Sequence, residues 1–328
     1  MIIILSYFNK IKKVYYFNNM NGWNKLLKVV KYIKVMVVKT FIIKACTDLG
    51  THVDGAHLGP DKVLENKKID NCIKIMKDNI IKSKDKNDVH KNMPEINKFN
   101  EELYNSIRSI IKNNYFPITI GGDHSLAIGS ALGSIKENNN LGIIWIDSHA
   151  DFNTPEATPT GNIHGYPFAA VCGYKNKELV KFHDGNFFNP KNAVLVGGRD
   201  IDLPYELNNL KEAGVKIFTT EDINNLGVEK VMEEAYKIAT NGTNGIHISY
   251  DIDSIDPNDA PGVSIPAKNG FSKEKAYEIL DYIVKKINIL KSIDIVEFNP
   301  LFDKNDKTVS IVRKILETII KEKENEHL

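Results

Sequence analysis

Three acidic tails hold the side chains of this sequence best suited to bind metal ions. Asp123 and His124 lie in GGDHS; Asp147, His149 and Asp151 lie in DSHAD; Asp251, Asp253 and Asp256 lie in DIDSIDP. Each tail follows a short apolar run, FPITI, LGIIWI or IHISY. Along an extended backbone residues i, i+2 and i+4 share a side, so Asp147, His149 and Asp151 can aim together, as can Asp251 and Asp253. Without a ligand, so many carboxylates at the ends of buried strands would repel one another, and desolvation would push several of their pKa values up. Two divalent cations would balance Asp147, Asp151, Asp251 and Asp253. Oxygen and imidazole donors without a thiolate suit Mn, Fe or Zn. A solvated loop or helix cap would account for one such tail; three of them, each after a strand, point to a two-metal site. A metal pair commonly shares a water and makes it a hydroxide near neutral pH, which implies hydrolysis at a polarised carbon. Composition and spacing do not say of what.

For three tails to converge, the strands before them must lie in one sheet. Strand candidates are Lys39–Cys46, Phe116–Ile120, Leu141–Ile146, Ala193–Val196, Val215–Phe218, Ile246–Tyr250 and Ile293–Phe298. Between them, Lys98–Lys112, Leu126–Lys136, Tyr205–Ala213, Ile223–Thr240, Ser272–Lys286 and Val309–Lys323 carry helical periodicity. Strands apolar on both faces with helices between them predict an α/β fold: three αβα layers around one central, mostly parallel sheet. In such a sheet ligands bind beyond the carboxyl ends of the strands. The Lys/Asn-rich segment Asp70–Asn92 reads as a helix running into a solvated loop. Neither an internal repeat nor a Pro/Gly/Ser-rich linker divides the chain, so one catalytic domain over residues 36–328 is expected.

The chain has 328 residues, 42% hydrophobic and 26% charged, ordinary values for a globular protein that exclude a disordered or fibrous one. Lys+Arg (43) and Asp+Glu (42) nearly cancel, so no nucleic-acid partner is expected. The charge is uneven: residues 1–35 hold seven lysines and no acid, leaving the remainder acidic by six. This stretch reads as a basic surface-binding helix, as a helical extension packed on the body, or as a segment outside the native chain, which would then begin at Met36. The last reading is favoured, because MVVKTFIIKA starts a buried strand directly. No run approaches the ~20 apolar residues of a membrane span, so no membrane partner is expected. Three scattered cysteines form no CxxC and no paired framework, which fits a reducing compartment and a cytoplasmic location.

In this order, GGDHS, DSHADFNTPEATPTGNIHG, SYDIDSIDPNDAPG and IVEFNP resemble the signature segments of the ureohydrolase family, most closely its arginase branch. DLGTHVDGAHLGP and GGRDID add to a match that spans roughly Lys39 to Leu316 and omits residues 1–35 and about 70–92. The resemblance implies two Mn²⁺ per subunit. His124, Asp147, Asp151 and Asp251 would hold one; Asp147, His149, Asp251 and Asp253 the other, with Asp147 and Asp251 shared. Asp123 and Asp256 would support these ligands, or else cap turns. Glu297 would pair with the substrate guanidinium, a carboxylate matching a planar charged fork. His164 would shuttle a proton, passed through Asp151, to the leaving amine.

The same resemblance implies that Asn153, Thr158 and Thr160 donate hydrogen bonds to an α-carboxylate and that Asp202 faces an α-amino group. Agmatinases lack this loop, so its presence argues for L-arginine; as residues alone it also reads as a polar turn set by Pro155, Pro159 and Gly161. The expected reaction is hydrolysis of L-arginine to L-ornithine and urea by a hydroxide shared between the metals. Alternatives are another ureohydrolase, acting on agmatine, guanidinobutyrate or formiminoglutamate, and a non-catalytic metal-binding relative. Family members are commonly trimers or hexamers, which implies a homo-oligomer. The chain departs from the pattern at Ser148 (usually Ala), at Tyr205 (often a second acid, with Glu206 next door), and at Glu274-Lys275, which replaces an Arg-Glu pair associated with subunit contacts.

Overall fold

Among the described residues, seven of the eight strands form where β-branched and aromatic residues run together. They are β1 (Lys39–Cys46), β3 (Tyr115–Gly121), β4 (Gly142–Ile146), β5 (Ala193–Gly198), β6 (Lys216–Thr219), β7 (Ile246–Asp251) and β8 (Leu290–Val296), with β2 (Cys72–Met76) the eighth. The computed structural model describes residues 39–76, 81–85, 87–202 and 204–326. The basic stretch 1–35 and the expected start at Met36 lie outside the described residues. The eight strands form one parallel sheet in the order β2-β1-β3-β8-β7-β4-β5-β6.

Nine α-helices flank the sheet among the described residues: α1 (Gly59–Val63), α2 (Met93–Lys112), α3 (Ala127–Asn138), α4 (Pro167–Val171), α5 (Tyr205–Ala213), α6 (Thr220–Leu226), α7 (Val228–Ala239), α8 (Lys273–Lys285) and α9 (Lys307–Asn325). Strand alternation feeds a core on each face of the sheet. Ile144, Ile146, Val194, Val196, Ile248 and Ile295 pack with α7, α8 and α9 on one face, while Ile143, Trp145 and Leu195 pack with α3 and α4 on the other. Burial on both faces is why these strands read as unbroken apolar runs. The three αβα layers are as expected, and the sheet is parallel throughout.

Two elements differ from expectation. Asp70–Asn92 begins with β2, an edge strand on β1, rather than a helix. Its period-2 signal is hidden because only Ile75 is buried, while Ile73, Lys74 and Met76 face outward, as suits an edge. The expected helix Ile223–Thr240 is two helices, broken at Gly227, whose φ of 85° cannot continue a right-handed helix. All three cysteines are unpaired. Among the described residues no helix is long and apolar enough to cross a membrane.

The central strands β3, β8, β7 and β4 lie side by side and end along one edge of the sheet. Chain order breaks there, since β3 and β4 are separated by two strands that arrive last, and such a switch opens a crevice at the carboxyl ends. Gly122 draws the first tail in: its N–H bonds Ala45 O at 3.0 Å, and the Asp123 N–H bonds Thr47 O at 2.9 Å. A Cβ on Gly122 would meet the main-chain oxygen of Thr47 at 1.7 Å. Gly122→Ala is therefore expected to lower stability by about 2–3 kcal/mol or more, read as a drop in Tm; an unchanged Tm would show that the β1 and β3 tails are free to part.

Candidate metal centre

His124 sits in a single 3₁₀ turn after β3, capped by Asp123, whose Oδ1 accepts the Ser125 N–H at 2.9 Å. Its ring stacks on Trp145 with centroids 4.1 Å apart, and Trp145 stacks in turn on Phe168. Nε2 is 2.8 Å from Ser249 Oγ on β7. The other nitrogen, Nδ1, lies 3.1 Å from Asp147 Oδ2, 3.0 Å from Asp151 Oδ2 and 3.1 Å from Asp251 Oδ2, yet it makes no hydrogen bond; Asp151 Oδ2 also has none. A lone-pair nitrogen and three anionic oxygens converging on one buried point form the donor set of a hard or borderline cation.

A second group adjoins the first. Asp147 Oδ1 accepts the His149 N–H at 2.7 Å, and His149 Nδ1 lies 3.0 Å from Asp253 Oδ2 and 3.6 Å from Asp147 Oδ1. The sets His124–Asp147–Asp251 and Asp147–His149–Asp253 each present ligand atoms within 4.8 Å of one another, so Asp147 belongs to both. The residues present thus fit two metal ions side by side.

Glu297 follows β8 at φ 65°, and Asp151 takes φ 50°. For non-glycine residues this is uncommon backbone, held by surrounding structure. The Glu297 N–H bonds Gly122 O at 2.7 Å, and the Asp151 carbonyl accepts the Phe168 and Ala169 amides at 3.0 and 3.2 Å. Glu297 Oε1 accepts the His124 N–H at 2.8 Å and stands 3.3 Å from His164 Nδ1; its Oε2 is buried without a partner. The structure therefore brings Glu297 and His164 together beside the metal ligands.

The expected substrate loop is assembled in part. Asn153 Nδ2 donates to Asp202 Oδ2 at 2.9 Å and to Glu206 Oε1 at 3.1 Å, leaving Asn153 Oδ1 buried and unpartnered. Thr158 Oγ1 accepts the Thr160 and Gly161 amides, and Thr160 Oγ1 accepts the Asn162 amide. Those hydroxyls close the turn, as the turn reading requires. Asp256 Oδ1 accepts from Asn258 and Oδ2 from the Gly270 amide, so it is a turn residue in this arrangement.

The electrostatics follow from burial. Burial alone would lower His124, but the carboxylates of Asp147, Asp151 and Asp251 outweigh it and hold the imidazole well above its usual range. His149 is raised likewise by Asp253 and Asp147 against the pull of burial. Burial and the Asp147 charge push Asp151 up to about 7, and burial pushes Glu206 up to about 8. Burial together with Asp253 and Asp147 raises Asp251, whereas for Asp147 the two imidazoles outweigh burial and lower it. Among these groups of the site Asp147 alone is lowered, and the others hold their protons more tightly in the folded chain than in the unfolded one. Groups raised in this way stabilise fully below their unfolded pKa values and lose that contribution as pH rises through the folded ones, at about 1.4 kcal/mol per proton per pH unit. After chelator treatment, Tm is expected to fall between about pH 5 and pH 8, and added Mn²⁺ should restore it most at the alkaline end. A rising Tm in the chelated protein would contradict this.

Sequence reasoning assigned no role to three supporting residues. Ser249 is two positions before Asp251, so strand alternation could have placed it on the ligand face. Glu206, only 2% exposed, accepts the Phe152 and Asp202 amides at 2.9 Å each and turns inward where Tyr205, 65% exposed, turns out. Arg199, in GGRDID, gave no local signal.

The sequence model of the arginase family, described as "Arginase family", matches residues 38–321. An arginase of Bacillus subtilis (strain 168) is 37% identical over 246 residues, which cover 74% of this chain and 82% of that protein. The structure of Entamoeba histolytica arginase in complex with L-ornithine aligns with a TM-score of 0.78 and 29% identity, over 86% of this chain and 97% of that one. Bacillus caldovelox arginase aligns at 0.76 with 30% identity, over 87% and 98% of the two chains.

Proposed function

From the premise that the chain belongs to the arginase family, binuclear metal-dependent hydrolases of guanidino C–N bonds, we propose that it hydrolyses L-arginine to L-ornithine and urea with two Mn²⁺ per subunit. The observation that carries this reading is the pair of adjoining donor groups that share Asp147. His124, Asp147, Asp151 and Asp251 would hold one ion, and Asp147, His149, Asp251 and Asp253 the other. When bound, such ions supply a nucleophile derived from water near neutral pH and neutralise the carboxylates that gather there.

The chain's own residues do the rest. Glu297 binds the guanidinium by a charge-assisted hydrogen bond. His164 donates the proton the departing amine needs. Burial would lower its pKa, but Glu297 chiefly, with Asp151 and Asp123, raises it, so the imidazolium persists toward neutral pH. Asp151, whose charge reaches His164, relays that proton. Thr158 and Thr160 recognise the α-carboxylate, joined by Asn153 when its amide turns from Asp202 to the substrate, and Asp202 recognises the α-amino group; this is what separates arginine from its decarboxylated analogue. The reading extends to one catalytic domain over residues 36–328, a cytoplasmic location and a homo-oligomer, trimeric or hexameric.

Urea release measured with Mn²⁺ on arginine, agmatine and guanidinobutyrate, with formamide release from formiminoglutamate alongside, tests it. Arginine should exceed agmatine by at least about tenfold in kcat/KM, since the two substrates differ by a charged group recognised at roughly 1.5–3 kcal/mol. Preference for agmatine would move the assignment to another ureohydrolase, and no product from any substrate would favour a non-catalytic relative.

A further inference from the structure

We infer that Arg199 is a positioning residue for the second metal group, presetting Asp253 and His149 by clamping the main chain around them. This rests on the two-ion reading above and concerns how unequal the two sites are. A guanidinium offers five N–H donors in a rigid fork. Here all are spent on neutral carbonyls: Nη2 on Asp253 O at 2.8 Å and Ala267 O at 2.9 Å, Nη1 on Ser254 O at 3.0 Å and Gly197 O at 3.4 Å, and Nε on Lys268 O at 3.0 Å. The residue's own backbone N–H bonds Ser148 O at 2.8 Å. One side chain and its amide thus tie the β5 tail to the stretch before His149, the stretch after Asp251 and the 267–268 loop.

The consequence falls on one group of ligands. With its backbone fixed, Asp253 places Oδ1 2.6 Å from the Ser148 hydroxyl and leaves Oδ2 at 3.0 Å from His149 Nδ1. His124 and Asp151, which belong to the first group alone, are held elsewhere, by Ser249 Oγ and by the Phe168 and Ala169 amides. Arg199 is also a cation beside an acidic centre. As a charge alone it would oppose metal binding; as a fork it favours it. The two roles have opposite signs, which makes them separable.

The test is a stepwise Mn²⁺ titration of the chelator-treated full chain, followed by calorimetry and by the paramagnetic signal of a coupled ion pair, with Tm recorded in parallel. Arg199→Lys keeps the charge and loses the fork; Arg199→Met loses both. Each is expected to bind one ion like the unsubstituted chain and the other about 10–100-fold more weakly, the usual effect of removing a support behind a metal ligand. Unaltered binding of both ions in Arg199→Lys would overturn the inference, as would tighter binding in Arg199→Met. Equal weakening of both ions, or loss of the folded state in both variants, would assign Arg199 to the fold instead and also overturn it. If the unsubstituted chain takes up only one ion, the two-ion reading falls first and carries this inference with it.

Discussion

Asp147→Ala is expected to cost the protein the metal pair and nearly all turnover. Asp147 is the side chain common to both donor groups: Oδ2 lies 3.1 Å from His124 Nδ1 and accepts the Trp145 indole N–H at 3.0 Å, while Oδ1 accepts the His149 amide at 2.7 Å. Alanine removes an anion from each group at once and leaves the buried Trp145 indole N–H and the His149 main-chain N–H without their acceptor. The metals' contribution is several kcal/mol of transition-state stabilisation, so the rate should fall by roughly 10³-fold or more at about 1.4 kcal/mol per decade. Metal analysis of the purified variant should give less than one ion per chain, and urea release should approach background. A variant that kept two ions, or kept turnover, would remove the shared ligand on which the proposed function stands. Asp253→Ala makes a graded companion: it removes one ligand of the second group and should spare an ion at His124.

The success of the sequence reading has a physical basis, and so do its gaps. β4 and β7 are buried on both faces and close with Asp147 and Asp251, so a change from apolar to acidic residues marks both the strand end and the ligand. Glu297, inside the strand candidate Ile293–Phe298, came from the family resemblance and not from such a change. β2 escaped because an edge strand buries one side chain of five, and its lysine matches a helix surface as well as a sheet edge. Gly227 escaped as a break because two amphipathic stretches in register read as one. The supports escaped for a deeper reason. Arg199 acts on carbonyls 2, 54–55 and 68–69 residues away, and a carbonyl has no residue type to read. Glu206 binds amides of Phe152 and Asp202 in the same anonymous way.

Glu297→Gln is expected to keep both ions and lose activity, the opposite pairing to Asp147→Ala. Glutamine occupies the same volume at φ 65°, and its carbonyl oxygen can still accept the His124 N–H, so the turn that carries the ligand stays in place. What is lost is the negative charge, in a position 3% exposed. Removing one partner of a buried ion pair costs about 3–5 kcal/mol, which for a guanidinium substrate means kcat/KM lower by roughly 10²–10⁴-fold. A second effect separates this from simple damage. Burial lowers the His164 pKa and Glu297 leads the groups that raise it; without that charge the imidazole deprotonates at lower pH. His164 works as the acid, so activity falls as pH rises through its pKa, and in Glu297→Gln that alkaline fall should begin at lower pH than in the unsubstituted chain. Residual turnover across pH, with metal content measured on the same samples, checks both effects. Full activity with an unmoved alkaline limb would show that Glu297 neither meets the guanidinium nor charges His164, and that the left-handed backbone at the end of β8 has some other cause.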